Sequence, residues 1–389
     1  MTVRPAVEGE IRQQILQHGR ITFAQFMQAC LYSPAGGFYT ARGEGIGDHF
    51  GTSSTGHPVF GALIARQLEQ MWRILGAPAV FHVVEAGSGD GLLAESIVNT
   101  CQRVFPEFAR ALRYVATDYA PGLIPSHSAS FGWVADTIDG LPPGGTDGGP
   151  QIQRVKTEGL RPFHGVVGCI LCNELMDNFP VHRFAIQDGK VKEIFVTLEG
   201  EDFEEVLDEP SSPLIEERLS GLGLSLPEGY RGEVNLALED WTGQLATALE
   251  RGFVLTIDYG QPAAELYSAT NDRGTLVCYS RHAVSDDAFQ DVGRQDITCQ
   301  VDFTALTRCG ERQGLTTEGF TTQREFLNNL GFLSYLADLD GQGLSAARRE
   351  FNRTAMAALV DPEEYGGFRV LAQSRGVGPG EGLAGFGCR

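Results

Sequence analysis

Residues 81–91, FHVVEAGSGDG, constrain this chain more than any other segment: an apolar run ends in an acidic residue and opens into three glycines at alternate positions. A run this short and this apolar predicts a buried parallel strand. Gly87, Gly89 and Gly91 would let the backbone turn sharply and approach a ligand that side chains would hold off. The spacing is G-x-G-x-G, whereas the dinucleotide fingerprint G-x-G-x-x-G carries its third glycine one place later for helix packing. That shift disfavours NAD, although an NAD-dependent oxidoreductase stays open as an enzyme reading, as does a glycine-rich turn with no ligand.

The charges around the loop refine the choice. Glu85 closes the strand and Asp90 sits among the glycines, so two negative charges lie where a pyrophosphate needs neutral or positive surroundings. S-adenosyl-L-methionine carries a sulfonium, an ammonium and no phosphate, and suits such a loop.

With 389 residues the chain has room for a core domain plus an elaboration of about 100 to 150 residues. Thirty Lys and Arg against fifty Asp and Glu give a formal charge of -20, which argues against nonspecific binding to nucleic acid or an anionic membrane. A basic substrate or a protein partner fits better, unless the acidity serves only solubility. No apolar stretch reaches the roughly 20 residues that span a bilayer. The opening MTVRPAVEGEIRQQILQHG carries two early glutamates and no transit-peptide pattern, so the expected location is cytoplasmic, with the mitochondrial matrix left open for a eukaryotic source. Eight scattered cysteines give no disulfide framework, and Cys169 and Cys172, inside the apolar VVGCILCNE, read as buried small residues rather than metal ligands.

Apolar residues at helical spacing predict helices within residues 8–31 and over Val59–Leu75, separated by a glycine-rich loop. Strands are expected at Phe81–Glu85, Leu112–Asp118, Gly132–Ala135, Gly165–Asn173 and Gly252–Tyr259, with helices near Leu92–Val104 and Leu236–Glu250. Such alternation predicts a parallel sheet with helices on both faces. Leu315–Thr321 and Phe368–Ser374 read as a late antiparallel edge pair around a helical stretch, Glu325–Leu359. A hairpin is expected to turn at Asp188-Gly189, and the polar residues 261–300 read as a lid or substrate segment. The resulting organisation is a helical cap and cofactor-closing loop over 1–78, a core over 79–180 and 233–389, an inserted hairpin and acidic segment over 181–232, and a helical insert over 322–360.

In an open parallel sheet the ligand lies outside the carboxyl ends of the strands. Asp118, at the end of the second strand, is placed to accept from ribose hydroxyls. Asn173, Glu174 and Asp177 follow a strand too apolar to be anything but buried, and would face the acceptor. For an arginine acceptor, Glu174 and Asp177 could grip the guanidinium. For a hydroxyl, a base such as His282, His57 or His49 is the candidate.

Together these segments resemble the MidA family of class I S-adenosylmethionine-dependent methyltransferases, which includes the arginine methyltransferase of mitochondrial complex I assembly. The resemblance runs through Ile21-Thr22-Phe23 with Phe26-Met27, Leu31-Tyr32-Ser33-Pro34 with Gly37-Phe38-Tyr39, Gly47-Asp48 with Phe50, Thr52 and Ser53, and the loop from Glu85. It continues through N-E-x-x-D-x-x-P from Asn173, Ile257-Asp258-Tyr259-Gly260, Gly274-Thr275-Leu276 with Tyr279 and His282, Asp296-Ile297-Thr298 with Val301-Asp302-Phe303, and Phe368-Arg369-Val370-Leu371.

The resemblance implies a Rossmann-like α/β core of seven strands with helical additions, S-adenosyl-L-methionine as donor, and an arginine of a partner protein as acceptor. It places Gly87, Gly89 and Gly91 on the methionine moiety, Asp118 at the ribose, and Asn173, Glu174 and Asp177 on the acceptor side, with Glu85 and Asn173 counted among the cofactor-binding residues and His282 among the catalytic candidates. Gly47, Asp48, Thr52 and Ser53 would close the cofactor pocket. Ser54, His49, Cys172, Asn178 and the glycine-rich stretch before Gln151 depart from the family pattern. An O-methyltransferase for a carboxylate or hydroxyl of a small metabolite is therefore the alternative, and a non-catalytic assembly factor the reading of another class. Self-association as a homodimer stays open.

Overall fold

A computed structural model describes residues 5–40, 56–118, 152–157, 159–280, 283–341, 343–378, 380 and 382–387. The chain forms two compact units. One comprises Gly51–Leu175, Asp240–Tyr259 and Thr307–Arg389, the other Met1–Phe50, Met176–Glu239 and Gly260–Leu306. These lines differ from the organisation expected above: residues 260–306 group with the amino-terminal helices and the hairpin, while the helix Val59–Ile74 groups with the central sheet.

The first unit is built on seven strands: β1 (Phe81–Ala86), β2 (Leu112–Asp118), β3 (Ile152–Lys156), β4 (Val166–Asn173), β5 (Leu249–Asp258), β6 (Thr316–Thr322) and β7 (Arg369–Arg375). Their order is β6-β7-β5-β4-β1-β2-β3. Strands β1 to β5 pair in parallel, and β7 lies antiparallel between β5 and β6. This is the seven-stranded sheet that the resemblance implies, with the expected antiparallel pair at one edge. The other edge carries a strand that the sequence reading did not name. Gly132–Ala135 lies outside the described residues, and the strand beside β2 is Ile152–Lys156, in register from Tyr114↔Ile152 to Asp118↔Lys156.

Local chemistry accounts for the layers. Strand β4 is buried along almost its whole length, as a central parallel strand covered on both faces must be. The helix Val59–Ile74 turns Phe60, Leu63, Ile64, Leu68 and Met71 inward, and Leu92–Val104 contributes Leu93, Ile97, Val98 and Cys101 to the same core. Cys169 and Cys172 are fully buried within β4, where desolvation pushes the Cys169 thiol up to about 12. They pack as small apolar side chains.

In the other unit, Phe23–Tyr32 starts at a capping box in which Thr22 and Gln25 satisfy each other's backbone N–H groups. The hairpin His182–Gln187 and Lys190–Glu199 turns through Asp188 and Gly189, both at positive φ, as expected. A third strand, Asp202–Asp208, pairs with Lys190–Glu199 and takes up part of the acidic stretch. Within residues 261–300, expected as a lid or substrate segment, the described residues include regular structure. They carry Val277–Ser280, Ala283–Ser285 and Asp296–Thr298, a small antiparallel sheet whose Cys278 and Ile297 share a core with Val7, Ile11, Phe26 and Met27. Three strands of three or four residues show too little periodicity to be read from sequence.

Candidate active site

The carboxyl ends of β1, β2, β4 and β5 lie side by side in the first unit, and they position most of the residues singled out from sequence. After β1, Gly87, Gly89 and Gly91 take φ of +73°, +51° and +82°, in the region that L side chains rarely adopt. The three glycines do different work. A Cβ on Gly91 would overlap the guanidinium of Arg154, and one on Gly87 would lie 2.8 Å from Leu175 Cδ1. In front of Gly89 nothing among the described residues comes within 4 Å of such a Cβ. The loop is packed at its two ends and open at its centre, a cradle that a side chain would fill.

Two charged residues hold the loop. Gly89 N donates to Asp118 Oδ2 at 2.9 Å, so the acidic end of β2 anchors the middle of the turn. Arg154 on β3 is buried beneath it, donating to the Asp90 carbonyl at 3.2 Å and to Glu95 Oε1 at 3.3 Å. Sequence reasoning missed Arg154. An arginine inside the polar pattern IQRVK gave no sign of facing a glycine loop some sixty residues earlier.

Glu85 stands next to last in β1, and its side chain is buried. It is 2% exposed, and Tyr114 Oη donates to its Oε2 at 2.9 Å. Burial raises its carboxyl to about 8, against the lowering effect of the Tyr114 hydrogen bond, with Asp118 and Asp90 adding to the rise. It braces the sheet behind the loop.

At the mouth of β4, Glu174 adopts φ +48°, a strained conformation for a residue with a Cβ, and its N–H donates to the Ile257 carbonyl at 2.8 Å. Asn173 Nδ2 donates to Glu174 Oε1 at 3.1 Å. The neighbouring strand fixes this turn through Asp258, fully buried, whose Oδ2 accepts from Leu175 N at 3.1 Å and whose Oδ1 accepts from Tyr259 N at 2.9 Å. Asp258, visible in sequence as a strand-end acid, thus serves as a clamp between β4 and β5.

Asp177 and Asn178, the later part of the same motif, belong to the other unit. There Asn178 Oδ1 accepts from Tyr39 Oη at 2.9 Å and Asn178 Nδ2 donates to Asp296 Oδ1 at 2.8 Å, while Tyr39 Oη lies 3.0 Å from Asp296 Oδ2. Tyr39 has one phenolic proton for two acceptors, so the network closes when Asp296 is protonated. Burial, reinforced by nearby Asp177, pushes the Asp296 carboxyl well above its ordinary range in agreement with that count. The Asp177 carbonyl accepts from Cys299 N at 2.9 Å. Gly47, Asp48, Thr52, Ser53, His49 and His282 lie outside the described residues. His57 is described, and its Nδ1 accepts from Val59 N at 3.1 Å.

Comparison with known proteins agrees with this architecture. The profile of a family of S-adenosyl-L-methionine-dependent methyltransferases matches residues 63–321, more than half of the chain. A solved structure of a COG1565 superfamily member from Burkholderia thailandensis, bound to S-adenosyl-homocysteine, superposes with a TM-score of 0.81 at 27% identity over 98% of this chain and 94% of that one. Among curated proteins, the chain is similar to the mitochondrial "protein arginine methyltransferase NDUFAF7 homolog" of Drosophila melanogaster, 28% identical over 95% of this chain and 84% of the relative. It is also similar to the human mitochondrial protein arginine methyltransferase NDUFAF7, 24% identical over 91% and 79% respectively. The cytoplasmic expectation is corrected by these relatives, which are mitochondrial proteins. It rested on two early glutamates, a slight criterion beside similarity along nearly the whole chain.

Proposed function

The chain belongs to the MidA family of class I S-adenosyl-L-methionine-dependent methyltransferases, and on that premise we propose that it methylates an arginine of a partner protein. The observation that carries this reading is Glu174, a carboxylate held in a strained turn by Ile257 and by the Asp258 clamp, next to the open glycine cradle. A carboxylate fixed in this way suits a guanidinium, which it can bind by charge-assisted hydrogen bonds. The fly and human relatives, both named protein arginine methyltransferases, support the same acceptor.

In this reading Gly87 and Gly89 admit the methionine end of the donor, Gly91 keeps the loop seated on Arg154, and Asp118 accepts from the ribose. The donor, S-adenosyl-L-methionine, supplies an electrophilic methyl group on a sulfonium. An acceptor nitrogen forms the new bond to that carbon as the carbon–sulfur bond breaks, its electrons passing to sulfur. The proton lost from nitrogen goes to Glu174, with Asn173 orienting the carboxylate. Alignment is the main contribution, worth about 7 to 11 kcal/mol when the reacting atoms are held at near-attack distance. The net charge of -20 favours a basic segment of the partner.

Incubation with methyl-labelled donor and a mitochondrial protein fraction, followed by acid hydrolysis, tests the reading. Label is expected in methylarginine. Label in solvent-extractable material alone would establish the small-metabolite alternative in its place. No transfer at all, with the Glu174→Gln variant still supporting the cellular role, would leave an assembly factor.

A further inference from the structure

We propose that Tyr259, Tyr365 and Phe368 form an aromatic shelf beside Glu174 that selects a planar guanidinium over an ammonium at the acceptor position. The inference rests on the arginine reading above and specifies which groups recognise the acceptor.

Topology brings these residues to the site. Strand β7 is antiparallel to β5, so its beginning, not its end, reaches the carboxyl edge of the sheet, and the register pairs Arg369 with Asp258. Phe368, one residue earlier, therefore meets Tyr259, one residue later: their ring centroids lie 5.3 Å apart with an interplanar angle of 43°. Tyr365 meets the same Phe368 edge to face at 5.6 Å. All three residues are partly exposed. The Asp258 clamp holds both Tyr259 N and Leu175 N, so the shelf and the Glu174 turn share one anchor. Glu174 lies near enough to raise the Tyr365 phenol further above its ordinary value than burial alone does.

The shelf is preorganised. Tyr365–Gly367 is a 3-10 turn in which Phe368 N donates to the Tyr365 carbonyl at 3.1 Å, while the Phe368 carbonyl accepts from Gln323 N at 2.8 Å. Gly366 and Gly367 pass so close to the Val360 and Pro362 backbone that any Cβ would overlap it. Arg369 next in sequence does not compete as a free cation, since it donates to the Gly367 carbonyl at 3.4 Å and adds to the lowering of the Glu325 carboxyl that the Thr321 hydrogen bond leads. A rigid aromatic surface beside a carboxylate suits guanidinium, which stacks flat on rings while keeping its edge for bidentate hydrogen bonds. An ammonium, compact and strongly hydrated, gains less there.

The test measures binding to the full-length chain loaded with S-adenosyl-homocysteine, with acetyl-arginine amide and acetyl-lysine amide as probes. The arginine probe is expected to bind more tightly, and Tyr365→Leu to weaken it about tenfold while leaving affinity for S-adenosyl-homocysteine unchanged. Tyr365→Phe, which keeps the ring, should retain most of the binding. Unchanged arginine-probe affinity in the folded Tyr365→Leu protein, equal affinity for the two probes, or no arginine-probe binding would overturn the shelf. Failure of the arginine reading itself would appear separately, as absence of methylarginine in the labelling experiment.

Discussion

The Tyr114 phenol donates to the buried carboxylate of Glu85 at 2.9 Å, within the sheet that carries the glycine loop. Burial, against the lowering effect of this hydrogen bond, makes stability depend on pH in a direction opposite to that of a carboxylate held below its ordinary value. The folded-state value of about 8 lies above the ordinary 4.5, so between them the folded protein binds a proton that the unfolded chain has released. The contribution of Glu85 is therefore complete below about pH 4.5 and is lost as pH rises through about 8, by up to about 1.4 kcal/mol per pH unit. Glu85→Gln keeps an oxygen for Tyr114 and removes the ionisation. Thermal unfolding from pH 5 to 9 should show the variant gaining on the native protein as pH rises, and parallel curves would exclude this account.

Gly89 and Gly91 should fail differently. Both need positive φ, which costs an alanine about 1 kcal/mol. Gly89 faces open space, so Gly89→Ala should fold with little further loss yet bind S-adenosyl-L-methionine about 10- to 100-fold more weakly, its methyl group occupying the cradle. Gly91→Ala must displace the buried Arg154, and its larger loss should be in melting temperature. Differential scanning fluorimetry and calorimetric titration on both variants separate the effects.

Glu174→Gly trades function for stability. The native residue is held at φ +48°, a region glycine enters without penalty, so the variant should be more stable by about 0.5 to 1 kcal/mol. Turnover should fall about 100-fold with the loss of the carboxylate. A denaturant midpoint that drops would mean that the side chain, with its bond from Asn173, contributes more than its backbone strain costs.

Much of the sheet was legible in advance because central parallel strands are continuously apolar. Phe81–Ala86, Leu112–Asp118 and the helix Leu92–Val104 stand within a residue of their expected limits. Strand β3 was not, since IQRVK at a sheet edge carries one polar residue and two cations. The site divides along similar lines. Glycine spacing and strand-end acids are local signals, and they located the loop, Asp118 and the Asn173 turn. Partners are not local: Arg154 under Gly91, Asp258 between Leu175 and Tyr259, and Tyr39 with Asp296 join positions 63 to 257 residues apart. The resemblance included Asp258 and Asp296 within motifs, but only coordinates show that each ties two segments together.

Asp296 offers the sharpest test of such a tie. Its carboxyl lies well above the ordinary carboxylate range through burial and the proximity of Asp177, so its contribution to stability is present at low pH and is lost as pH rises through the folded-state value. Asp296→Asn supplies the same geometry in permanently neutral form: its oxygen accepts from Asn178 Nδ2, and its amide N–H reaches Tyr39 Oη, leaving the Tyr39 proton for Asn178 Oδ1. The variant should equal the native protein at pH 5 and melt higher at alkaline pH. Asp296→Ala removes both contacts and leaves buried polar atoms of Tyr39 and Asn178 unmatched, at a cost of about 2 to 5 kcal/mol at every pH. If Asp296→Asn instead melted lower than the native protein throughout, the carboxyl would be ionised in the folded state, and Tyr39 would donate to it rather than to Asn178.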